Sequence, residues 1–191
     1  FEAPILWFLV HVDAPGLSLT GATVPGVPLL VLGHNSRIAW GMTTTGGDLE
    51  DLYLEEADPK DPDKYLRPDG SMAFERRTEK ILIRDQEPEL LTVRTTRHGP
   101  VVSDLIAANR ASNDQAKTGQ LPVIALASAA LEPEDDTARA LLGINRAKNW
   151  KDFVAATRDF HAPQQNLFYA DTAGDIGLTS PARLPIRRSG N

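Results

Sequence analysis

Short apolar segments separated by proline- and glycine-containing breaks dominate this chain, and most are too short to be helices. Pro4 to Val12 (PILWFLVHV) runs apolar, β-branched and aromatic without a break, which predicts a strand buried on both faces. Leu17 to Thr23 and Leu29 to Leu32 predict two further strands. They are divided by Pro25-Gly26-Val27-Pro28, whose prolines cannot donate to a central ladder. Arg37 to Thr43 predicts the next strand, and Asp51 to Glu56 (DLYLEE) alternates apolar and polar as a half-exposed strand does.

The texture then changes. Asp58-Pro59-Lys60-Asp61-Pro62-Asp63 is loop chemistry, and Arg67-Pro68-Asp69-Gly70 is a turn signal. Met72 to Arg84 and Leu90 to Arg97 predict a long antiparallel excursion closed by His98-Gly99-Pro100, with a short strand beginning at Val101. Asn109 to Gln120 predicts a surface loop, and Pro122 to Ala130 (PVIALASAA) another strand. Two helices are predicted. One is capped around Asp136-Thr137 and runs through Leu142 to end near Gly143 or slightly later. The other starts on Asn149 and carries Trp150, Phe153, Val154, Thr157 and Phe160 on one stripe. Gln165 to Asp171 and Asp175 to Thr179 flank Ala173-Gly174 as a hairpin. Many strands, few helices and no alternating βαβ rhythm argue against a parallel doubly wound sheet.

Composition narrows the function classes. The 191 residues are 41% hydrophobic, enough for a sizeable core, and carry a net charge of −6 with no Lys/Arg block. Nucleic acid and anionic membranes both need a concentrated basic face, so neither is an expected partner. The absence of cysteine excludes disulfides, zinc thiolate sites and a thiol nucleophile. No apolar run reaches membrane-spanning length.

Familiar catalytic motifs are missing. None of the serines stands in a Gly-x-Ser-x-Gly elbow, and there is no dinucleotide or Walker glycine pattern. His11, His34, His98 and His161 lie far apart without metal-ligand spacing and read as structural, with His34 expected to hydrogen-bond backbone locally. Thr43-Thr44-Thr45-Gly46-Gly47 stands out. Small hydroxyl residues followed by two glycines permit a backbone bend that turns N–H groups outward, the provision a developing oxyanion needs, although a tight turn has the same composition. Asp48, Glu50 and Asp51 follow at once, and clustered carboxylate and carbonyl oxygens suit a hard cation as well as a solvated turn.

The order of these segments resembles the penicillin acylase (penicillin amidase) family of N-terminal-nucleophile hydrolases, specifically part of its large (β) subunit. The resemblance rests on Ala14-Pro15-Gly16-Leu17 with Leu19 to Pro28, Leu32-Gly33-His34-Asn35 with Ile38-Ala39-Trp40-Gly41, and Thr43 to Asp51. It continues in Arg97 to Val101, Ala147-Lys148-Asn149-Trp150, and Asn166 to Asp171 with Gly174-Asp175-Ile176-Gly177. It implies an α+β fold, strand-rich with few helices, forming part of an αββα sandwich. Residues 1–191 would be one partial domain lacking the nucleophile segment and the C-terminal remainder, and inactive alone.

The implied activity is hydrolysis of a linear N-acyl amide, such as a β-lactam antibiotic or an acyl-homoserine lactone, through an acyl-enzyme on an N-terminal serine. By position, the Thr44 N–H would be one oxyanion donor. Leu32 and Met42 would line the acyl pocket, and Gly46 falls where some members carry an aromatic. Asp48 and Asp51 would bind calcium through carboxylates and Glu50 through its carbonyl. Asn166, in its QNLFYAD strand, stays structural. The family further implies a zymogen that is periplasmic or secreted in a bacterium. Its remaining segments, including a small (α) subunit, would be the partners. The alternative reading is a non-catalytic, β-rich binding module.

Overall fold

The computed structural model describes residues 6–105 and 122–187, which fall into two compact units. One comprises the chain up to Leu49 together with Ala129 onward; the other is Glu50–Ser128.

The first unit is built on a six-stranded antiparallel sheet. Its strands are β1 (Phe8–Ala14), β2 (Leu17–Thr23), β3 (Leu32–His34), β4 (Ile38–Thr44), β12 (Gln165–Asp171) and β13 (Ile176–Thr179), adjacent in that order. Two helices, α1 (Thr137–Arg146) and α2 (Trp150–Thr157), cover one face. Strand alternation sends Leu19, Ile38, Trp40, Leu167 and Tyr169 into that face. There they pack with Leu30, Ala140, Ile144, Phe153 and Phe160 as one apolar core. Phe153 and Tyr169 within it contact each other and the more exposed Trp150, all at 5.1–5.8 Å between ring centres. Burial and the Asp171 carboxylate that accepts its hydroxyl proton at 2.6 Å push the Tyr169 phenol well up.

Several sequence expectations change in detail, each for a physical reason. β1 is an edge strand, not one buried on both faces: Leu9 is 88% exposed, and among the described residues only Val10 reaches the core. The predicted strand Leu29–Leu32 is displaced to Leu32–His34. The Asn145 side chain captures the Leu30 backbone at both ends, accepting from its N–H at 2.9 Å and donating to its carbonyl at 2.8 Å. α1 passes through Gly143 to Arg146 because this glycine meets α2: a Cβ there would lie 2.7 Å from the Ala156 methyl. Asp136 precedes α1 without capping it by a side-chain bond and pairs instead with Arg139 at 2.9 Å. Asn149 caps α2 as expected, its side chain accepting from Asp152 N–H.

The second unit holds a pair, β5 (Glu50–Glu55) with β11 (Val123–Ser128), and a hairpin, β6 (Lys64–Arg67) with β7 (Gly70–Ala73). It also holds a three-stranded sheet of β8 (Glu75–Ile81), β9 (Glu89–Thr96) and β10 (Gly99–Pro100). The predicted run Met72–Arg84 is therefore two strands, broken where Phe74 turns into a core of Tyr65, Val101 and Val123. In β5 the alternation runs opposite to hydrophobic-in. Leu52 and Leu54 are exposed, whereas Glu55 is buried with its carboxylate 2.8 Å from His98 Nδ1. The His98 ring also stacks on Tyr53 at 3.8 Å. The loop expected over Asn109–Gln120 lies outside the described residues. No helix among them is long and apolar enough to cross a membrane.

Candidate active site

The bend after β4 is the feature the rest of the first unit positions. Asn35 sets the start of that strand: its Oδ1 accepts from the N–H groups of Arg37 (2.8 Å) and Ile38 (2.9 Å). Its Nδ2 donates to the carbonyls of Asn145 (3.1 Å) and Ala147 (2.8 Å) at the end of α1. From there β4 pairs with β12 continuously, Ile38 opposite Asp171 through Thr44 opposite Gln165. On its other side the ladder with β3 reaches only Trp40 opposite Gly33.

Alternation then decides where the Thr44 N–H points. Asn35 N–H donates to Ile38 carbonyl on the β3 side, and Thr172 N–H donates to Arg37 carbonyl on the β12 side. Backbone groups of alternate residues share a side, so Ile38, Trp40, Met42 and Thr44 face β3. The segment that would continue β3 past Thr44 is the one Asn145 has pulled away at Leu30. Thr44 thus directs its N–H toward a side where the ladder has already ended, and the residue is exposed.

Beyond it, Gly46 has φ +69°, a left-handed conformation that favours glycine, with open space around its missing Cβ. Gly47 is crowded instead: a Cβ there would fall 1.4 Å from Gln164 Oε1 and 2.6 Å from its Cδ. Thr45 Oγ1 accepts weakly from Gly47 N–H at 3.4 Å. On the far face, Asn166 Nδ2 donates to Thr43 Oγ1 at 3.4 Å, and Ser180 Oγ donates to Asn166 Oδ1 at 2.7 Å.

The three predicted pocket residues do not gather. Met42 lies on the helix-covered face, opposite Leu167 and against the core. Leu32, next to Gly33, which pairs with Trp40, lies on the other face, and Gly46 lies in the exposed bend. A cavity of about 590 Å³ opens at the other end of β4, lined by Pro15, Leu17, Ser36, Arg37, Asn145 and Lys148 among others, and Thr44 is not part of it.

Of the acids, Asp48 lies one residue before the end of the first unit's N-terminal stretch and pairs with Arg187 at 3.1 Å. Glu50 and Asp51 begin the second unit, and Glu50 accepts from Ser128 Oγ at 3.0 Å. Among the described residues no group of three or more acids or histidines converges as a cage for a metal ion. The His34 ring contacts the Asn35 carbonyl at 3.2 Å, the local backbone bond expected of it. Gln164 was not legible as a site residue, because only the fold brings it to Gly47.

Comparison with known proteins agrees with the sheet and its landmarks. The penicillin amidase family profile matches residues 1–191. Acyl-homoserine lactone acylase QuiP of Pseudomonas aeruginosa is 31% identical over 191 residues, covering 98% of this chain and 22% of its own length. Penicillin G acylase of Escherichia coli is 28% identical over 191 residues, covering 99% of this chain and 21% of its own. The solved thermostable penicillin G acylase from Alcaligenes faecalis superposes with a TM-score of 0.76 at 27% identity, over 94% of this chain and 30% of that one. The chain spans about a fifth of the length of the curated relatives it matches. With a strand-rich α+β fold of few helices, similar to that of penicillin G acylase, the chain belongs to the penicillin amidase family of amidohydrolases.

Proposed function

We propose that these residues form part of an amidohydrolase that cleaves a linear N-acyl amide through an acyl-enzyme, with the Thr44 N–H as one oxyanion donor. The observation that carries this reading is the direction of that N–H: it leaves β4 where the β3 ladder has stopped, in an exposed bend. A fixed backbone donor costs no reorganisation as negative charge develops on the carbonyl oxygen, which is why such donors weigh heavily in acyl transfer. In this reading the serine nucleophile, the small (α) subunit and a second donor lie in further segments of a longer parent, which the relatives' length, about five times that of this chain, supports. The relatives' names, acyl-homoserine lactone acylase and penicillin G acylase, make an acyl-homoserine lactone or a β-lactam the substrate class to try first. Processing from a zymogen and a periplasmic or secreted location complete the reading.

Its test is mass spectrometry of the intact, processed parent enzyme quenched during turnover of N-acyl amides. A covalent acyl adduct on an N-terminal serine is the expected result; turnover without any adduct, or no turnover on either substrate class, rejects it.

Calcium belongs to the same proposal. Asp48 and Asp51 carboxylates and the Glu50 carbonyl are donors of the right chemistry for a hard cation. Further ligands would come from outside the chain. The Arg187 guanidinium on Asp48 competes with any such cation. An exposed pair of this kind is worth about 1 kcal/mol at most. Arg187→Gln is therefore expected to tighten calcium binding by roughly three- to fivefold, measured by titration calorimetry with calcium chloride. Absence of binding in both proteins removes calcium from the reading.

A further inference from the structure

Gln164 precedes β12 and lies against the bend in a way the residues so far assigned do not explain. Its Oε1 is buried and, among the described residues, has no hydrogen-bond partner. That atom occupies the space a side chain on Gly47 would need, and Gln164 Cδ and Cβ follow at 2.6 and 3.4 Å from the same point. The whole distal side chain therefore covers one side of Gly47, three residues after Thr44. A buried amide oxygen without a donor costs free energy, so what holds it over Gly47 is the packing of the side chain and not a hydrogen bond of that oxygen.

The mounting of Gln164 is firm. His161 and Ala162 N–H groups both donate to Thr137 Oγ1, at 3.0 and 3.3 Å, which ties the approach to Gln164 to the first residue of α1. Arg183 N–H donates to the His161 carbonyl at 3.0 Å. The next residue, Gln165, pairs with Thr44. Gln164 thus extends from an anchored segment onto a bend whose own support is slight: one 3.4 Å contact from Gly47 N–H to Thr45 Oγ1, and a left-handed Gly46 with nothing beside it.

From this geometry we infer that Gln164 is a positioning residue. By packing over Gly47 it holds the Thr45–Gly47 backbone and keeps that bend from folding across the side the Thr44 N–H faces, a direction the strand itself sets. The role rests on the oxyanion reading above. Glycine at position 47 is the complementary half of the device, because only a residue without Cβ leaves room for the amide.

The test compares Gln164→Ala, which empties the space over Gly47, with Gln164→Met, which refills it without the amide, in the intact parent enzyme. Gln164→Ala is expected to lower kcat roughly tenfold or more with KM within twofold, a shift of about 1.4 kcal/mol for each factor of ten. Gln164→Met is expected to stay within about threefold of the parent kcat, as packing of similar length is restored. Amide hydrogen exchange at Thr45 to Gly47 is expected to quicken in Gln164→Ala and not in Gln164→Met. Exchange unchanged in Gln164→Ala overturns the proposal. So does a kcat within twofold of the parent in Gln164→Ala while Thr44→Pro is impaired, or a Met variant as slow as the Ala variant. If Thr44→Pro is itself fully active, the oxyanion reading fails, and the exchange data still decide whether Gln164 holds the bend.

Discussion

Thr44→Pro in the intact parent enzyme is expected to lower kcat by roughly 10²–10³, the cost of removing one oxyanion donor, while leaving the sheet folded. The substitution is chosen because it deletes the N–H and little else. Thr44 ends β4, and its backbone groups face the β3 side, so the paired ladder with β12 loses no hydrogen bond. Proline also disfavours helical backbone in the residue before it, and Thr43 is already extended within the strand. Thr44→Ala is the control: it keeps the N–H, removes only an exposed side chain, and is expected to stay within about threefold of the parent, because a backbone donor needs no particular side chain. Steady-state rates on an N-acyl amide, with thermal midpoints on the same samples, separate the outcomes. A Thr44→Pro enzyme that is stable and fully active removes Thr44 from the mechanism. A slow Thr44→Ala enzyme moves the role from backbone to side chain.

The elements of the first unit were largely legible because they obey local rules. β2 and β12 coincide with the predicted runs, β4 and β13 differ by a residue at their ends, and the Asn149 cap starts α2 where the sequence places it. What escaped the sequence depends on partners far along the chain. Leu30 reads as a strand residue by its neighbours and leaves the ladder because Asn145 takes both of its backbone groups. Gly143 reads as lying near the end of α1, which stops three residues on at Arg146, but its contact with Ala156 has no local signal. Glu55 reads as the solvent side of β5 and is buried because His98 meets its carboxylate. The bend shows the same division. Its location follows from Thr43 to Gly47, but the support from Gln164 spans more than a hundred residues and no local pattern announces it.

The largest effect on stability is expected at Asn145, a residue with no chemistry of its own. It is 1% exposed, and its two side-chain bonds satisfy both backbone groups of Leu30, itself 2% exposed. Asn145→Ala leaves that N–H and that carbonyl buried without partners, at about 1–3 kcal/mol for each group left unsatisfied. Water entering the vacated volume offsets part of this, so a net loss of about 2–4 kcal/mol is expected in urea unfolding of the intact protein. Asn145→Leu is expected to be no better, since it fills the space and excludes the water while supplying neither donor nor acceptor. Asn145→Asp keeps the acceptor for Leu30 N–H but sets a carboxylate against the Leu30 carbonyl, and is expected to lose at least as much. The consequence reaches the bend. With Leu30 released, residues 29–31 remain tied by the Thr23 hydroxyl on the Leu29 carbonyl (2.7 Å), the Val31 N–H on the Ala22 carbonyl (3.1 Å) and the Trp40 indole on the Val31 carbonyl (3.1 Å). Where these exchange, β3 extends along β4 and its register sets Leu29 opposite Thr44. An Asn145→Ala protein assayed below its unfolding transition is therefore expected to lose activity as well as stability, with slower amide exchange at Thr44 as the donor is drawn into a ladder. A destabilised Asn145→Ala protein whose folded fraction keeps full activity and unchanged exchange at Thr44 shows that the end of β3 does not govern that N–H.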